Sequence, residues 1–165
     1  MQAKIKYYLV ITVLAISLSH VLSQSISPKT QNWLLEARTV FQESYSYMTP
    51  IPSDNVNLNL STVSDLDSKL KNQWSIGVDV QSEILELQRP SVEQGDLIPK
   101  ELQYLSSAAQ ALQDALLTLF QEIDSLLENH ESVDSSLRES RLALQIAMLN
   151  YTVHNLALTL YLDAN

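Results

Sequence analysis

The chain has no cysteine, so no disulfide can staple it and no thiolate can serve it as nucleophile or metal ligand. Small secreted domains with thin cores commonly rely on disulfides; this one has to be held by packing. Glycine occurs only at Gly77 and Gly95, too few for the many turns of a β-rich fold. Positive charge is also scarce. Ten Lys and Arg face 19 Asp and Glu, a formal net charge of −9. That argues against nucleic acid and against anionic membrane surfaces, both of which select basic patches.

Chemistry-bearing motifs are missing too. There is no HExxH, no Gly-rich phosphate loop and no ExxH pair of the kind that di-metal bundles use. Of the three histidines, His20 lies in the apolar start, His130 in a polar stretch and His154 in a helical pattern. A lone helical histidine is far more often packed or solvated than catalytic. The expectation is no enzyme: no catalytic residue, no metal site and no cofactor.

What is present begins with two apolar runs. Met1 to Lys6 carries two lysines, Tyr7 to Leu22 is almost wholly apolar, and Ser23-Gln24 follows. A basic start, an apolar stretch and a small-residue junction make a secretory signal. Residues 1–23 are therefore expected to be removed, leaving 24–165 as one extracellular domain. Without Lys4 and Lys6 its formal balance falls to −11.

The second run, Leu142 to Leu162, holds 21 residues and no charge. About 20 apolar residues cross a bilayer as a helix. Gln145, Asn150, Thr152, His154, Asn155 and Thr159 interrupt this run, and such groups are penalised near a bilayer centre. No basic flank follows Leu162. The reading is a core helix, with a tail anchor behind a three-helix bundle as the alternative.

Four helices are legible. Helix A, about Thr30 to Met48, repeats Leu34, Ala37, Phe41, Tyr45 and Met48 at three- and four-residue spacing, and "TPIP" stops it. Helix B, about Val63 to Gln88, opens on a Thr62–Asp65 capping box and ends at Arg89-Pro90. Its stripe is Val63, Leu66, Leu70, Trp74, Val78 or Val80, Ile84 and Leu87. Gly77, in its middle, costs about 1 kcal/mol against Ala and suggests a kink. Helix C runs Leu102, Leu105, Ala109, Leu112, Leu116, Leu119, Ile123 and Leu126 opposite a wholly polar face, after Pro99. Helix D starts near Leu137 with Ser136 and Glu139 as another capping box. It carries two stripes, one from Leu142 through Ile146, Leu149, Val153, Leu156 to Leu160, the other Leu144, Met148, Tyr151, Leu158 and Leu162. A helix apolar on most of its circumference suits the centre of a bundle. The fold class is all-α, a four-helix bundle.

The segments "LLEARTVFQESYSYMTPIPSD", "LNLSTVSDLDSKLKNQWSIGVDVQSEILELQ", "PKELQYLSSAAQALQDALLTLFQEIDSLL" and "LRESRLALQIAMLNYTVHNLALTL" resemble, in order, length and texture, the four helices of the ciliary neurotrophic factor and cardiotrophin group of long-chain helical cytokines. The resemblance implies an up-up-down-down bundle. It implies a secreted ligand that binds and assembles class I cytokine receptor ectodomains, touching membranes only through the receptor. The receptor-facing sides of its first and third helices would here include Glu36, Glu43, Gln103, Gln110, Asp114 and Gln121. A monomer is expected.

Connection lengths keep a second topology open. Asn129 to Ser135 is seven residues and reaches at most about 25 Å, whereas helix C, at about 29 residues, is about 43 Å long. Up-down-up-down is the alternative. A secreted amphipathic-helix carrier of lipid or another apolar ligand is the alternative function, disfavoured because Lys and Arg do not line helix C's polar boundary. Two glycosylation sequons occur: Asn59-Leu60-Ser61 sits in a connection and is expected to be used, while Asn150-Tyr151-Thr152 falls mid-helix and is not.

Overall fold

Ser27 starts the first helix: its hydroxyl accepts from the Thr30 N–H at 3.2 Å, and Pro28 fills the first helical position. Proline is at home there, since its missing N–H would have had no intrahelical partner. The computed structural model describes residues 26–49, 60–128 and 133–164. They form four helices, α1 (Pro28–Met48), α2 (Leu60–Gln94), α3 (Lys100–Glu128) and α4 (Val133–Ala164), with no strand among the described residues. The expected four-helix bundle is what the chain forms. The junction after Ser23 and the sequon at Asn59 lie outside the described residues.

Three boundaries differ from the sequence reading. α2 begins at Leu60, so Thr62 is inside the helix, and Asp65 binds Lys69 one turn on at 2.9 Å. α4 begins at Val133, so Ser136 is likewise internal. A capping box is a local signal, and it loses where the flanking residues continue the helix. At the other end of α2, Pro90 lies within the helix, which continues to Gln94. Gly95, at φ 71°, then ends it. The Gly95 N–H donates to the Val92 carbonyl at 3.2 Å and the Asp96 N–H to that of Ser91 at 2.9 Å. That pair of bonds is a Schellman cap, and it needs a residue that tolerates the left-handed region.

Helix directions follow from which residues meet. Along α1, Thr30 binds Glu83, Lys29 binds Asp79, and Trp33 and Glu36 both reach Gln73. The partners descend as α1 ascends, so the two helices are antiparallel. α2 and α3 run oppositely as well: Lys71 meets Asp124, Trp74 meets Gln113, and Gln88 meets Leu102. α4 meets α1 through side chains, again in the opposite direction, with Arg38 at Asn155 and Gln42 at Tyr151. The order is up-down-up-down, which corrects the up-up-down-down order implied by the cytokine resemblance. The reason is reach: residues 129–132 alone join α3 to α4, and their links span at most about 18 Å.

The core is aromatic at the α1 side and aliphatic along α3. Trp33, Leu34, Phe41 and Met48 of α1 pack with Leu70, Val80 and Ile84 of α2 and with Leu105, Leu112, Leu116 and Ile123 of α3. Phe41 stacks on Tyr151 of α4, ring centres 4.5 Å apart. Gly77 has a role other than the expected kink. It is the notch that admits Trp33, because a Cβ there would lie 2.7 Å from the indole.

α3 and α4 form the closest pair. Ala108, Ala111 and Ala115 share one face of α3, and Ala147 and Ala157 are buried on α4. Small side chains let backbones approach, and here the His154 imidazole reaches the Ala108 carbonyl itself at 2.8 Å. α4 is therefore not central, contrary to the expectation from its two stripes. It buries Leu144, Tyr151 and Leu158 and leaves Leu142, Ile146, Leu149, Val153, Leu156 and Leu160 exposed. No helix among the described residues is long and apolar enough to cross a membrane.

Candidate functional site

The polar face of α3 runs into an open groove against α4. Ser106, Ser107, Gln110, Ala111 and Asp114 form one wall, Asn150 and Val153 the other, around about 430 Å³. The positions 107, 110 and 114 fall on one side of α3 because three- and four-residue steps return to the same face. Ser107 donates to the Gln103 carbonyl at 2.9 Å, so its hydroxyl is held to its own helix. The Gln110 amide donates to the Asp114 carboxylate at 2.9 Å. That hydrogen bond fixes Asp114 while leaving acceptor capacity on the carboxylate.

Of the residues expected to bind a receptor, Gln110 and Asp114 meet in this groove. Gln103 and Gln121 are exposed on the same helix, and Gln103 donates to the Ile98 carbonyl at 2.6 Å just before the helix starts. Glu36 and Glu43 belong elsewhere. The Glu36 carboxylate accepts from Gln73 at 3.4 Å, and Glu43 lies near enough to Lys69 to favour its charged form. Both therefore lean toward α2, at the α1–α2 edge. The groove is at the α3–α4 edge, across the bundle. The expected receptor-facing residues thus fall on two surfaces, Glu36 and Glu43 on one and the α3 residues on the other.

The sequence reading missed Ser106, Ser107, Ala111, Asn150 and Val153 as groove residues. It also assigned the exposed stripe of α4 to the core. One signal was available: Ala147 and His154 lie away from that stripe and Ala157 flanks it, and small residues there match the alanines of α3.

His154 is wholly buried. Burial drives its pKa down to about 4, and the Arg38 charge adds to this, while the hydrogen bond to the Ala108 carbonyl works the other way. The ring is thus neutral at pH 7 and donates through Nδ1. Its Nε2 has no partner. Tyr151 lies over it, ring centres 5.8 Å apart.

Groove and core therefore offer hydroxyls, amides and one carboxylate, groups that recognise by hydrogen bonding and attract a cation. Among the described residues, no three His, Cys, Asp or Glu come together as a metal site. Comparison of the chain with known protein families, characterised proteins and solved structures finds no match.

Proposed function

We propose that this protein is a secreted helical ligand that works by binding the ectodomains of cell-surface receptors of the cytokine class. The observation that carries the reading is the α3–α4 groove, where exposed Gln110 and half-buried Asp114 stand midway along the polar face of α3. An open groove of this kind suits a protruding side chain from a protein surface better than an enclosed small molecule. The fixed carboxylate of Asp114 favours a lysine or arginine in that position. Rigid placement also matters, since both walls rest on the tightest helix pair of the bundle. Secretion follows from the signal-like Met1–Ser23, and the strong acidic balance suits a partner with a basic face.

The alternating helix order differs from that of the neurotrophic-factor group, so receptor assembly would use different edges of the bundle. Glu36 and Glu43 at the α1–α2 edge form the second contact in this reading. Two contacts on opposite edges are what a ligand needs to bring two receptor chains together.

The test is capture of a panel of cytokine-receptor ectodomains by the purified protein. Asp114→Lys should weaken capture at least about tenfold, equivalent to about 1.4 kcal/mol, without changing the melting temperature. Glu36→Lys with Glu43→Lys should abolish ternary but not binary complexes. Failure of every ectodomain to bind, with the protein folded, rejects the proposal. The exposed apolar stripe of α4 favours a second reading, carriage of an apolar ligand, and retention of a fluorescent fatty acid through gel filtration would support it.

A further inference from the structure

Leu142, Ile146, Leu149, Val153, Leu156 and Leu160 are each between 39% and 63% exposed. Their spacing is four, three, four, three, four, the a/d pattern of a coiled-coil seam. The opposite face of α4 is already occupied by α3 and by Phe41 and Gln42 of α1. The seam is thus a regular apolar strip on a helix that the bundle has finished using. Monomeric proteins seldom expose so long a continuous patch without a partner.

We propose that this seam pairs with the same seam of a second copy, α4 against α4 in antiparallel. Three observations point to a copy rather than to another occupant. From Leu142 to Leu162 there is no charged residue, so the strip carries no electrostatic code for a different protein and is complementary to itself. An a/d strip calls for a helix of the same period, which the second copy supplies. The area reaches the lower bound: with each side chain between 39% and 63% exposed, full coverage of both strips buries on the order of 1,000 Å², the least that a specific interface needs. Antiparallel pairing opposes the two helix dipoles, as every neighbouring pair in the bundle already does. A lipid surface fits less well, because no Lys or Arg borders the strip between Leu142 and Leu162. In this proposal the expected monomer gives way to a two-fold pair, which covers Val153 at the rim of each α3–α4 groove.

The rest of each copy is strongly acidic, so repulsion opposes the pairing and salt should relieve it. Sedimentation velocity of the purified protein from about 1 to about 100 µM should show a monomer–dimer equilibrium that tightens severalfold between about 0.05 and about 0.5 M salt. Leu149→Glu with Leu156→Glu should remain monomeric over that range, with unchanged circular dichroism. Because the chain has no cysteine, a mixture of Leu149→Cys and Val153→Cys proteins should form a mixed disulfide dimer in preference to either like pair. A monomer at the highest concentration overturns the proposal. So does a dimer that survives both glutamates, or co-flotation of the wild type, but not the double variant, with phosphatidylcholine vesicles.

Discussion

The indole of Trp33 occupies the space where any side chain at Gly77 would stand. A Cβ on Gly77 would sit 2.7 Å from Cζ2 and 3.2 Å from Cε2. The indole cannot swing away, because its Nε1–H donates to the Gln73 carbonyl at 2.7 Å and its ring is 1% exposed. Helix propensity alone favours Ala over Gly by about 1 kcal/mol, and overpacking a filled core costs about 1–3 kcal/mol. Gly77→Ala is therefore expected to destabilise by about 1 kcal/mol net, read from urea midpoints. In a Trp33→Leu background the same change should become neutral or stabilising, and an equal penalty in both backgrounds would disprove the clearance role.

Leu112 and Leu116 are both wholly buried on the dry face of α3, and Gln110 is exposed on the wet one. Truncating either leucine to Ala should cost about 2–5 kcal/mol. Gln110→Ala should cost under about 0.5 kcal/mol. Chemical denaturation of the three variants checks the assignment, and matching midpoints would reverse it.

His154 makes stability depend on pH. Its folded pKa of about 4 lies below the ordinary histidine value of 6.5, so the unfolded chain binds the proton more readily between those values. Stability is then fully present at pH 7 and falls as pH drops from about 6.5 to about 4. The loss over that window is roughly 3 kcal/mol. His154→Leu should flatten this part of the profile, gaining roughly 3 kcal/mol on the wild type between pH 7 and pH 4. Parallel profiles for the two proteins would show that His154 is not the titrating group.

Glu83 ties the start of α1 to α2. Its carboxylate accepts from the Ser27 N–H at 3.0 Å, the Ser27 hydroxyl at 2.7 Å and the Thr30 hydroxyl at 2.8 Å. Partial burial opposes its charge, but these bonds, with Lys29 nearby, outweigh that and hold its pKa below the usual carboxylate range. Its contribution is therefore present above the ordinary glutamate pKa and lost as pH falls through the folded one. Glu83→Ala should cost about 1–2 kcal/mol, tempered by solvent. Amide exchange in the first turn of α1 should accelerate, while that around Leu112 changes only with global stability. Unaltered exchange at residues 28–31 would remove the anchoring role.

The existence of four helices, and the dry face of α3, were fixed by local order in the sequence. Three- and four-residue spacing, Pro99 near a helix start, and the scarcity of glycine act within one or two turns. They need no knowledge of neighbours. Helix ends were less legible at Thr62, Ser136 and Pro90, because a cap signal is a modest local term and the backbone bond that Pro90 removes did not end a helix that Gly95 caps five residues on. The helix order depended on which side chains meet across helices, such as Thr30 with Glu83. Pairings more than fifty residues apart leave no mark in periodicity. α4 shows the division most plainly. Of its two apolar stripes, the all-aliphatic one faces outward and the one with Met148 and Tyr151 faces inward, so hydropathy alone ranks them the wrong way round. The tertiary structure chose the stripe beside Ala147 and His154, because only small residues and a hydrogen-bonding ring fit against the close-packed alanines of α3. That choice left Leu142 to Leu160 facing outward, and it opened the groove at Gln110 and Asp114.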